Sequence, residues 1–349
     1  MKKFITLVLC CLLLPGSVFA GGGRDRDATG VNINVMVVDG APLVTMTQMM
    51  SEGAGAIEGY NISYTIIPDP TALVAALLNQ EADFAIAPIN IASMMHNNGS
   101  GYRLAAITSW SNLHIVSNQN VTSLDDLRGE TIFAFGRGAI PGITLRSVLR
   151  QNNIPYVEPV GLNFTVDPNA VHIIYFTAAI DVRNVIIAGS LDGMPVRFGL
   201  MVEPVATATA AATANLPHGP FVPGINLQNE WARVNDGEIP PQAGLIFHER
   251  LLANHADFVD RFISMAEVST VYAQNNPVSA GDIAVGFGSL SIPNGQVVSA
   301  AFNAGRFPIH FARANDAREP VNSFLQAILN EAPPLIGGRM PSDAFFHAE

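Results

Sequence analysis

Residues 123–142 read SLDDLRGETIFAFGRGAIPG and contain a capped turn, a strand and a glycine-rich loop. Ser123 is typical of a helix cap, and Gly129 can end the short turn that follows in a left-handed conformation. The apolar run Thr131–Phe135 predicts a buried strand, and from Leu145 onward apolar residues recur at helical spacing. The stretch therefore predicts a strand–loop–helix unit of an α/β fold.

The loop between that strand and that helix is a candidate ligand site. Backbone amides near Gly138–Gly142 are expected at a helix N-terminus, where a ligand's partial negative charge is favoured, and Arg137 adds a possible clamp for an anion. Alternatively, Gly136 and its neighbours only turn the chain. The candidate ligand residues of this loop are Arg137, Gly138, Ala139 and Ile140.

Strand and helix patterns alternate along the chain on both sides of this stretch. The strands predicted over 31–39, 62–67 and 82–88 alternate with helices, which is typical of a doubly wound lobe. A chain of 349 residues is longer than one hydrophobic core usually spans. Only 13% of its residues are charged, against an average near 25%, so a large fraction should be buried. We therefore expect two doubly wound α/β lobes.

The first twenty residues, MKKFITLVLCCLLLPGSVFA, have a charged start, an apolar core and a small-residue cleavage site. They predict a signal peptide (1–20), followed by a flexible leader (21–30), and hence a periplasmic location. We do not expect lipid anchoring, because bulky residues precede Cys10 and Cys11. No later run approaches the length of a membrane span, so we expect no direct membrane insertion.

Both cysteines and both lysines of the chain lie inside that predicted signal peptide. Its removal would leave 16 Arg against 29 Asp plus Glu, a net charge of −13, which makes nucleic acid and anionic membranes poor partners. Without Cys or Lys, disulfides, thiolate nucleophiles, Schiff bases and a P-loop lysine are excluded. The eight histidines show no metal-ligand spacing, and no cofactor motif is present, so we expect neither a metal nor a cofactor.

Polar or special residues follow the carboxyl ends of the predicted strands. In open α/β sheets, ligands bind at these ends. Three interpretations have structural alternatives: Asp39 can simply turn the chain, Trp110 can be core, and Glu203 can be a hinge ion-pair partner. The candidate ligand residues of these loops are Asp39, Pro42, Pro88, Asn90, Trp110, Thr177 and Glu203.

Four segments carry a resemblance to a known family: ADFAIAPIN (82–90), SLDDLRGETIFAFG (123–136), LMVEPVATA (200–208) and HADFVDRFISMAEVSTVYAQNNP (255–277). In order and spacing they resemble the periplasmic substrate-binding proteins of ABC importers, in particular the nitrate/sulfonate/taurine and thiamine-precursor branch. The resemblance implies a type II periplasmic-binding-protein-like fold and a ligand-facing loop at Thr177. It also implies that the protein closes on a small organic solute and delivers it to an importer permease with its ATPase, without catalysis.

The predicted organisation is lobe I over 31–116, lobe II over 117–220, and 221–349 as the second part of lobe I and a C-terminal tail. The Pro- and Gly-rich segment 216–224 is predicted to be the return crossing between the lobes. We expect a monomer.

The ligand stays open at this point. Arg137 and the helix N-terminus favour a sulfonate, carboxylate or oxyanion, whereas Asp39 and Glu203 favour an amine or an N-heterocycle with N–H donors; both sets together would suit a zwitterion or an aminopyrimidine. A sensory ligand-binding module and a periplasmic enzyme are the two alternative functions.

Overall fold

The computed structural model of the chain describes residues 30–348, apart from Ala54 and Asp69. The predicted signal peptide and all but the last residue of the predicted leader lie outside the described residues. Within that described part, no helix combines the length and the apolar character needed to cross a bilayer.

Two six-stranded sheets organise the described residues, and each is the centre of one lobe. In the first sheet, three neighbouring strands run parallel. At the other end of the sheet, two strands run in the opposite direction and flank a strand that has the direction of the first three. In spatial order, its strands are β14 (Ile309–Arg313), β4 (Tyr102–Trp110), β13 (Pro241–His248), β3 (Phe84–Pro88), β1 (Val31–Val38) and β2 (Tyr60–Ile67).

The second sheet is the centre of lobe II. Five of its six strands run in the same direction, and the strand that enters the lobe is antiparallel to both of its neighbours. In spatial order, its strands are β12 (Val222–Asn226), β5 (Leu113–Ser117), β11 (Phe198–Val202), β6 (Thr131–Phe135), β8 (Val171–Phe176) and β7 (Tyr156–Val157). A separate two-stranded hairpin is formed by β9 (Ser190–Leu191) and β10 (Met194–Pro195).

Helices cover the faces of both sheets, as expected for an α/β fold. The helices are α1 (Ala41–Glu52), α2 (Pro70–Leu78), α3 (Ile89–Asn97), α4 (Ile140–Gln151), α5 (Ala179–Ala188), α6 (Val205–Thr213), α7 (Leu227–Ala232), α8 (Leu252–Asn275), α9 (Pro277–Gly286), α10 (Gly295–Asn303) and α11 (Arg318–Glu331). Short 3₁₀ turns lie at Leu124–Leu127, Glu249–Leu251, Pro333–Ile336 and Asp343–Phe345. The mixed α/β architecture with two sheets confirms the predicted fold class.

An aromatic cluster forms the centre of the core on one face of the first sheet. The ring of Phe84 stacks on Phe262 with centroids 4.1 Å apart, and Tyr60 stacks on Phe258 at 3.9 Å. Phe84, Phe258 and Phe262 are all nearly inaccessible to solvent. Since each large ring removes 150–250 Å² of surface from water, this cluster contributes strongly to the stability of lobe I.

The crossings between the lobes differ from the predicted boundaries. β5 pairs with β11 and β12, so lobe II already begins at Leu113, and only Ser111 and Asn112 separate it from β4. The predicted return crossing at 216–224 is wrong, because β12 lies inside that region and pairs with β5 of lobe II. The chain returns to the first sheet between Asn226 and Pro241, through α7.

These crossings make the carboxyl edges of the two sheets face each other. β4 ends at Trp110, and two residues later the chain enters β5 at Leu113, opposite Val202 at the carboxyl end of β11. In the first sheet, β13 is antiparallel to both β3 and β4, so these two strands point the same way and end at the same edge. The loops that follow β1, β3, β6, β8 and β11 therefore converge on the junction between the lobes.

A continuous apolar cluster joins the two lobes at this junction. It includes Ile89 and Trp110 of lobe I together with Ile140 and Ile143 of lobe II, all of them buried. Such shared burial means that the lobes are in direct contact in this structure.

We predict that Gly244→Ala, in the middle of β13, destabilises the protein. A Cβ there would collide with the carbonyl oxygen of Ala106 and lie 2.8 Å from Cδ1 of Leu104. Overpacking of this kind costs about 1–3 kcal/mol. Gly286→Ala is the matched control, because nothing lies within 4 Å of a Cβ in that helical position and alanine should stabilise it by up to about 1 kcal/mol. Urea unfolding measures both; equal stability of the two variants would contradict the packing of β13.

Candidate functional site

All eleven residues proposed from the sequence lie at the two facing edges, but few have free polar groups. Lobe I supplies Asp39, Pro42, Pro88, Asn90 and Trp110; lobe II supplies Arg137, Gly138, Ala139, Ile140, Thr177 and Glu203. The structure therefore brings the predicted residues to one junction. Their hydrogen-bond partners decide which of them can still serve a ligand.

The carboxylate of Asp39 is used within lobe I. Its Oδ1 accepts from the amide of Gly40 at 2.7 Å and from Oγ of Ser289 at 2.5 Å, and its Oδ2 accepts from the amides of Leu290 and Ser291 at 2.9 and 3.0 Å. Four donors fill the acceptor positions of one carboxylate. Asp39 therefore anchors the loop before α10 to the end of β1.

The carboxylate of Glu203 is fully buried and joins the two lobes. Its Oε1 accepts from Nε of Arg306 in lobe I at 2.8 Å and from Oγ1 of Thr207 at 3.0 Å, and its Oε2 accepts from the amide of Thr207 at 2.9 Å. Arg306 also donates to Oγ1 of Thr207 at 2.9 Å. This geometry is the hinge ion pair that the sequence left open as an alternative.

The loop before α4 has few free backbone donors. The amides of Ala139 and Gly142 both donate to the carbonyl of Gly136, at 2.9 and 3.2 Å, and Pro141 has no N–H. Gly142 must be glycine here, because a Cβ would lie 2.5 Å from that carbonyl oxygen. The amides predicted to favour an anion are therefore largely consumed by the turn itself.

Arg137 lies at one end of a chain of ion pairs that crosses the junction. Its Nε donates to Oε2 of Glu158 at 2.8 Å, and its side chain is 68% exposed. Glu158 also pairs with Arg146 of α4, which in turn pairs with Glu331 at the end of α11 in lobe I. Arg150 reaches the same Glu331 carboxylate at 3.1 Å.

An open groove of about 660 Å³ lies over this network. Nη1 of Arg146 also donates to the Tyr175 hydroxyl at 3.0 Å, and burial raises the pKa of Tyr175 above its ordinary range. The groove is lined by Arg137, Gly138, Arg146, Arg150, Tyr156, Glu158 and Glu331.

Trp110 packs inside lobe I. Its indole N–H donates to the carbonyl of His310 at 3.1 Å, and its ring stacks on the His310 ring with centroids 4.5 Å apart. Asn90 is buried, and its Nδ2 lies 3.4 Å from the carbonyl of Leu335. Thr177, by contrast, is exposed at the end of β8.

The crossing between the lobes contains buried polar groups without partners. We call Ser109, Ser111, Asn112 and Gln242 the crossing cluster. The hydroxyls of Ser109 and Ser111 and the side-chain carbonyl oxygens of Asn112 and Gln242 have no hydrogen-bond partner among the described residues. The first three residues are at most 4% exposed.

Backbone pairing holds the crossing cluster together. In the antiparallel ladder Ser109 is opposite Ala243, the residue after Gln242, and the amide of Ser111 donates to the carbonyl of Pro240 at 2.8 Å. The Asn112 Nδ2 donates to the carbonyl of Glu203 at 2.8 Å, which fixes the amide so that its oxygen points away from that carbonyl. Because buried polar groups are nearly always paired, this group of unpaired ones makes the crossing a candidate place for a bound polar molecule, either water or a ligand.

Sequence reasoning did not select the crossing cluster. The visible signal for this cluster in the sequence is the polar break Ser109–Asn112 between two apolar runs. Further side chains on elements that reach the junction have buried polar atoms without partners among the described residues, and they include Ser93 of α3, Thr108 of β4, His114 of β5, Thr144 of α4 and Gln228 of α7. Among the described residues, no group of three or more His, Cys, Asp or Glu is arranged as metal ligands would be.

Solved structures resemble this chain over most of its length. An ABC transporter protein from Parabacteroides distasonis is 19% identical with a TM-score of 0.70, and the match covers 91% of this chain and 99% of that one. The alkanesulfonate-binding protein SsuA from Xanthomonas axonopodis pv. citri, bound to MOPS, is 13% identical with a TM-score of 0.61 over 91% and 97% of the two chains. The aliphatic sulphonate binding protein SsuA of Escherichia coli is 12% identical with a TM-score of 0.61 over 91% and 94%.

The chain has the periplasmic binding protein fold. No protein-family model matches the sequence, and no curated protein matches it either. In this fold, the facing carboxyl edges of the two sheets and the two crossings border the space between the lobes.

We predict that Glu203→Gln destabilises the protein by roughly 2–4 kcal/mol, because it breaks a buried ion pair and leaves Arg306 without its counter-charge. Asp125→Asn is the matched control. The Asp125 carboxylate pairs with Arg128 but is 73% exposed, so its loss should cost less than about 1 kcal/mol. Urea unfolding of both variants measures the difference, and equal losses would contradict the buried inter-lobe pair.

We predict that His114→Gln reduces the acid sensitivity of the protein. Burial lowers the pKa of His114; the charge of Glu203 and the hydrogen bond to the Arg306 carbonyl oppose that shift, and the charge of Arg306 adds to it. A histidine whose folded pKa lies below the unfolded value of about 6.5 binds protons more readily when unfolded, so the free energy of unfolding falls as pH drops below 6.5.

The measurement is urea unfolding between pH 5 and 6.5, where the variant should show a smaller slope than the wild type. Other histidines leave a residual slope, since desolvation also lowers the pKa of His96, His248, His310 and His347. Between pH 7.5 and 8.5 the two proteins should show the same slope, which is the internal control. If the slope at acid pH is the same in the variant and the wild type, His114 is excluded as a source of the acid sensitivity.

Proposed function

We propose that this protein is an extracytoplasmic solute-binding protein that delivers a small organic solute to an ABC importer. The observation that carries the proposal is the crossing cluster. Its unpaired polar atoms are buried between two lobes that are joined by short crossings, and this is the arrangement of a cleft that closes on a small molecule.

Hinge motion at the two crossings is the proposed mechanism. One crossing is only Ser111–Asn112, and the other runs from Asn226 to Pro241. Rotation of a few backbone torsions there would separate the carboxyl edges and admit a solute, and closure would bury it. The inter-lobe pairs of Glu203 with Arg306 and of Glu331 with Arg146 would then form on closure.

Similar solved structures support this role. They include an ABC transporter protein and two sulfonate-binding proteins. The proposed partners of the present chain are a small-molecule ligand and an importer permease with its ATPase, and the proposed working form is a monomer. No specific observation favours a sensory module or an enzyme over this role.

The proposed ligand shell combines the predicted residues with the crossing cluster. Pro42, Pro88, Asn90, Trp110, Gly138, Ala139, Ile140 and Thr177 would form walls of the cleft through shape and apolar contact. Asp39, Arg137 and Glu203 would lie near the ligand, but their charged groups bind partners within the chain rather than the ligand. Sulfonates and thiamine precursors, the solute classes that the sequence resemblance implies, remain among the solutes to be tested.

We predict that a cognate solute raises the melting temperature of the refolded protein. A solute at 100 times its dissociation constant adds about 2.7 kcal/mol, which corresponds to roughly 4 °C in a protein of this size. The test is thermal unfolding against sulfonates, carboxylates, oxyanions, amines, amino acids, amides, N-heterocycles and polyols. Prior denaturation and refolding removes any carried ligand.

Lysozyme, under identical additions, controls for non-specific stabilisation. Small-angle scattering with and without the best solute then reports closure. If no class of solute shifts the melting temperature, the importer role is contradicted.

A further inference from the structure

The charged and polar groups at the junction constrain the chemical class of the solute. This inference rests on the function proposed above. We infer that the cleft selects an uncharged polar solute that donates hydrogen bonds from N–H or O–H groups, and that it excludes small anions such as sulfonates. The inference comes from which groups at the junction are already occupied and which are left free.

Carboxylates of the chain occupy two of the three helix N-termini that lobe II presents to the junction. Oδ2 of Asp181 accepts from the amide of Ala178 at the start of α5, at 3.1 Å. Oε2 of Glu203 accepts from the amide of Thr207 at the start of α6, at 2.9 Å. An anionic solute would meet a negative charge at both places, where the helix dipole would otherwise attract it.

The third N-terminus, that of α4, has fewer free donors than an ordinary helix start, and the amides of Gly138 and Ile140 keep no backbone partner there among the described residues. Pro141 lacks an N–H, and the amide of Gly142 is bound to the carbonyl of Gly136. The arginines beside this loop are also engaged: Arg137 with Glu158, and Arg146 with both Glu158 and Glu331. An anion here would have to displace existing ion pairs.

A cationic solute finds no free carboxylate among the groups that the structure places at the junction. Asp39 accepts four hydrogen bonds, Glu203 is paired with Arg306, and Glu331 accepts from Arg146, Arg150 and Ser147. Each carboxylate therefore has its counter-charge or its donors inside the chain. The arginines at the junction pair with Glu158, Glu203 and Glu331, whereas Asp39 and Asp181 are satisfied by neutral donors, so no carboxylate is left free to bind a cationic solute.

What remains free is neutral and rich in acceptors. The side-chain oxygen of Asn112 is an acceptor of fixed direction, because its amide nitrogen is held by the carbonyl of Glu203. The oxygen of Gln242 is a second free acceptor, and the hydroxyls of Ser109 and Ser111 can accept or donate. Buried Trp110 and Ile140 belong to the apolar cluster that spans the junction. Acceptors in apolar surroundings select a neutral donor, since a charged group would lose its hydration without compensation.

Matched pairs of probes test this inference. Each pair keeps the carbon skeleton and changes the charge: methanesulfonate with methanesulfonamide, acetate with acetamide, and benzoate with benzamide, joined by the neutral solutes uracil, cytosine and glycerol. Thermal unfolding of the refolded full chain is measured with each probe at 1 and 10 mM. We expect shifts only with uncharged members, and an affinity for the best probe that changes less than twofold between 20 and 500 mM NaCl.

Ser111→Ala tests whether the crossing cluster makes the contact. Its hydroxyl has no partner in the chain, so the substitution should leave the melting temperature unchanged or raise it, while the affinity for the best neutral probe falls at least tenfold. Ser269→Ala is the matched control. It removes another buried serine hydroxyl, in α8 beside α1, and should leave that affinity unchanged.

The outcomes separate the inference from the proposed function. If an anionic member shifts the melting temperature and its neutral partner does not, the solute class is overturned while the binding function stands. If neutral probes bind but Ser111→Ala binds them as the wild type does, the crossing cluster is not the contact and the inference fails. If no probe of either kind binds and no solute of the wider panel does, the proposed function fails and the inference fails with it.

Discussion

A connection of only two residues, Ser111 and Asn112, determines how the two lobes face each other. Because β4 ends at Trp110 and β5 begins at Leu113, the carboxyl edge of one sheet is held directly against that of the other. Backbone hydrogen bonds then fix the connection on both sides: the amide of Ser111 binds Pro240, and the amide of Glu203 binds the carbonyl of Asn112 at 3.0 Å. Because this short link holds the two edges together, the loops that follow the strands converge on the junction and charges pair across it.

Charge pairing across the junction follows from the same closeness. A carboxylate as buried as that of Glu203 is stable only with a counter-charge and hydrogen-bond donors, and Arg306 and Thr207 provide them from opposite lobes. The network of Arg146 with Glu158 and Glu331 repeats this arrangement at a second place on the junction. The polar groups of the crossing cluster are uncharged, and their free atoms belong to neither of these two networks.

Local sequence pattern predicted the fold well, and long-range pairing explains what it missed. The strand 131–135 appears at its predicted bounds, because a short apolar run between turn signals suits a buried parallel strand. The strand Val222–Asn226 was missed because Pro223 and Gly224 read as a loop. As the edge strand of its sheet it tolerates a proline that a central strand would not. The partners of Asp39 and Glu203 lie about 250 and 103 positions away, so no local pattern could reveal that these carboxylates are occupied.

The ion pair between Glu203 and Arg306 has a consequence for the kinetics of solute entry. While the lobes are in contact as in this structure, the crossing cluster becomes accessible only when this pair separates and the buried carboxylate becomes hydrated. The association rate is then set by how often the lobes part rather than by how often a solute molecule collides with the surface. A solute of the proposed kind would leave only when the inter-lobe charges part again, so the ion pairs that join the lobes would affect both its entry and its residence time.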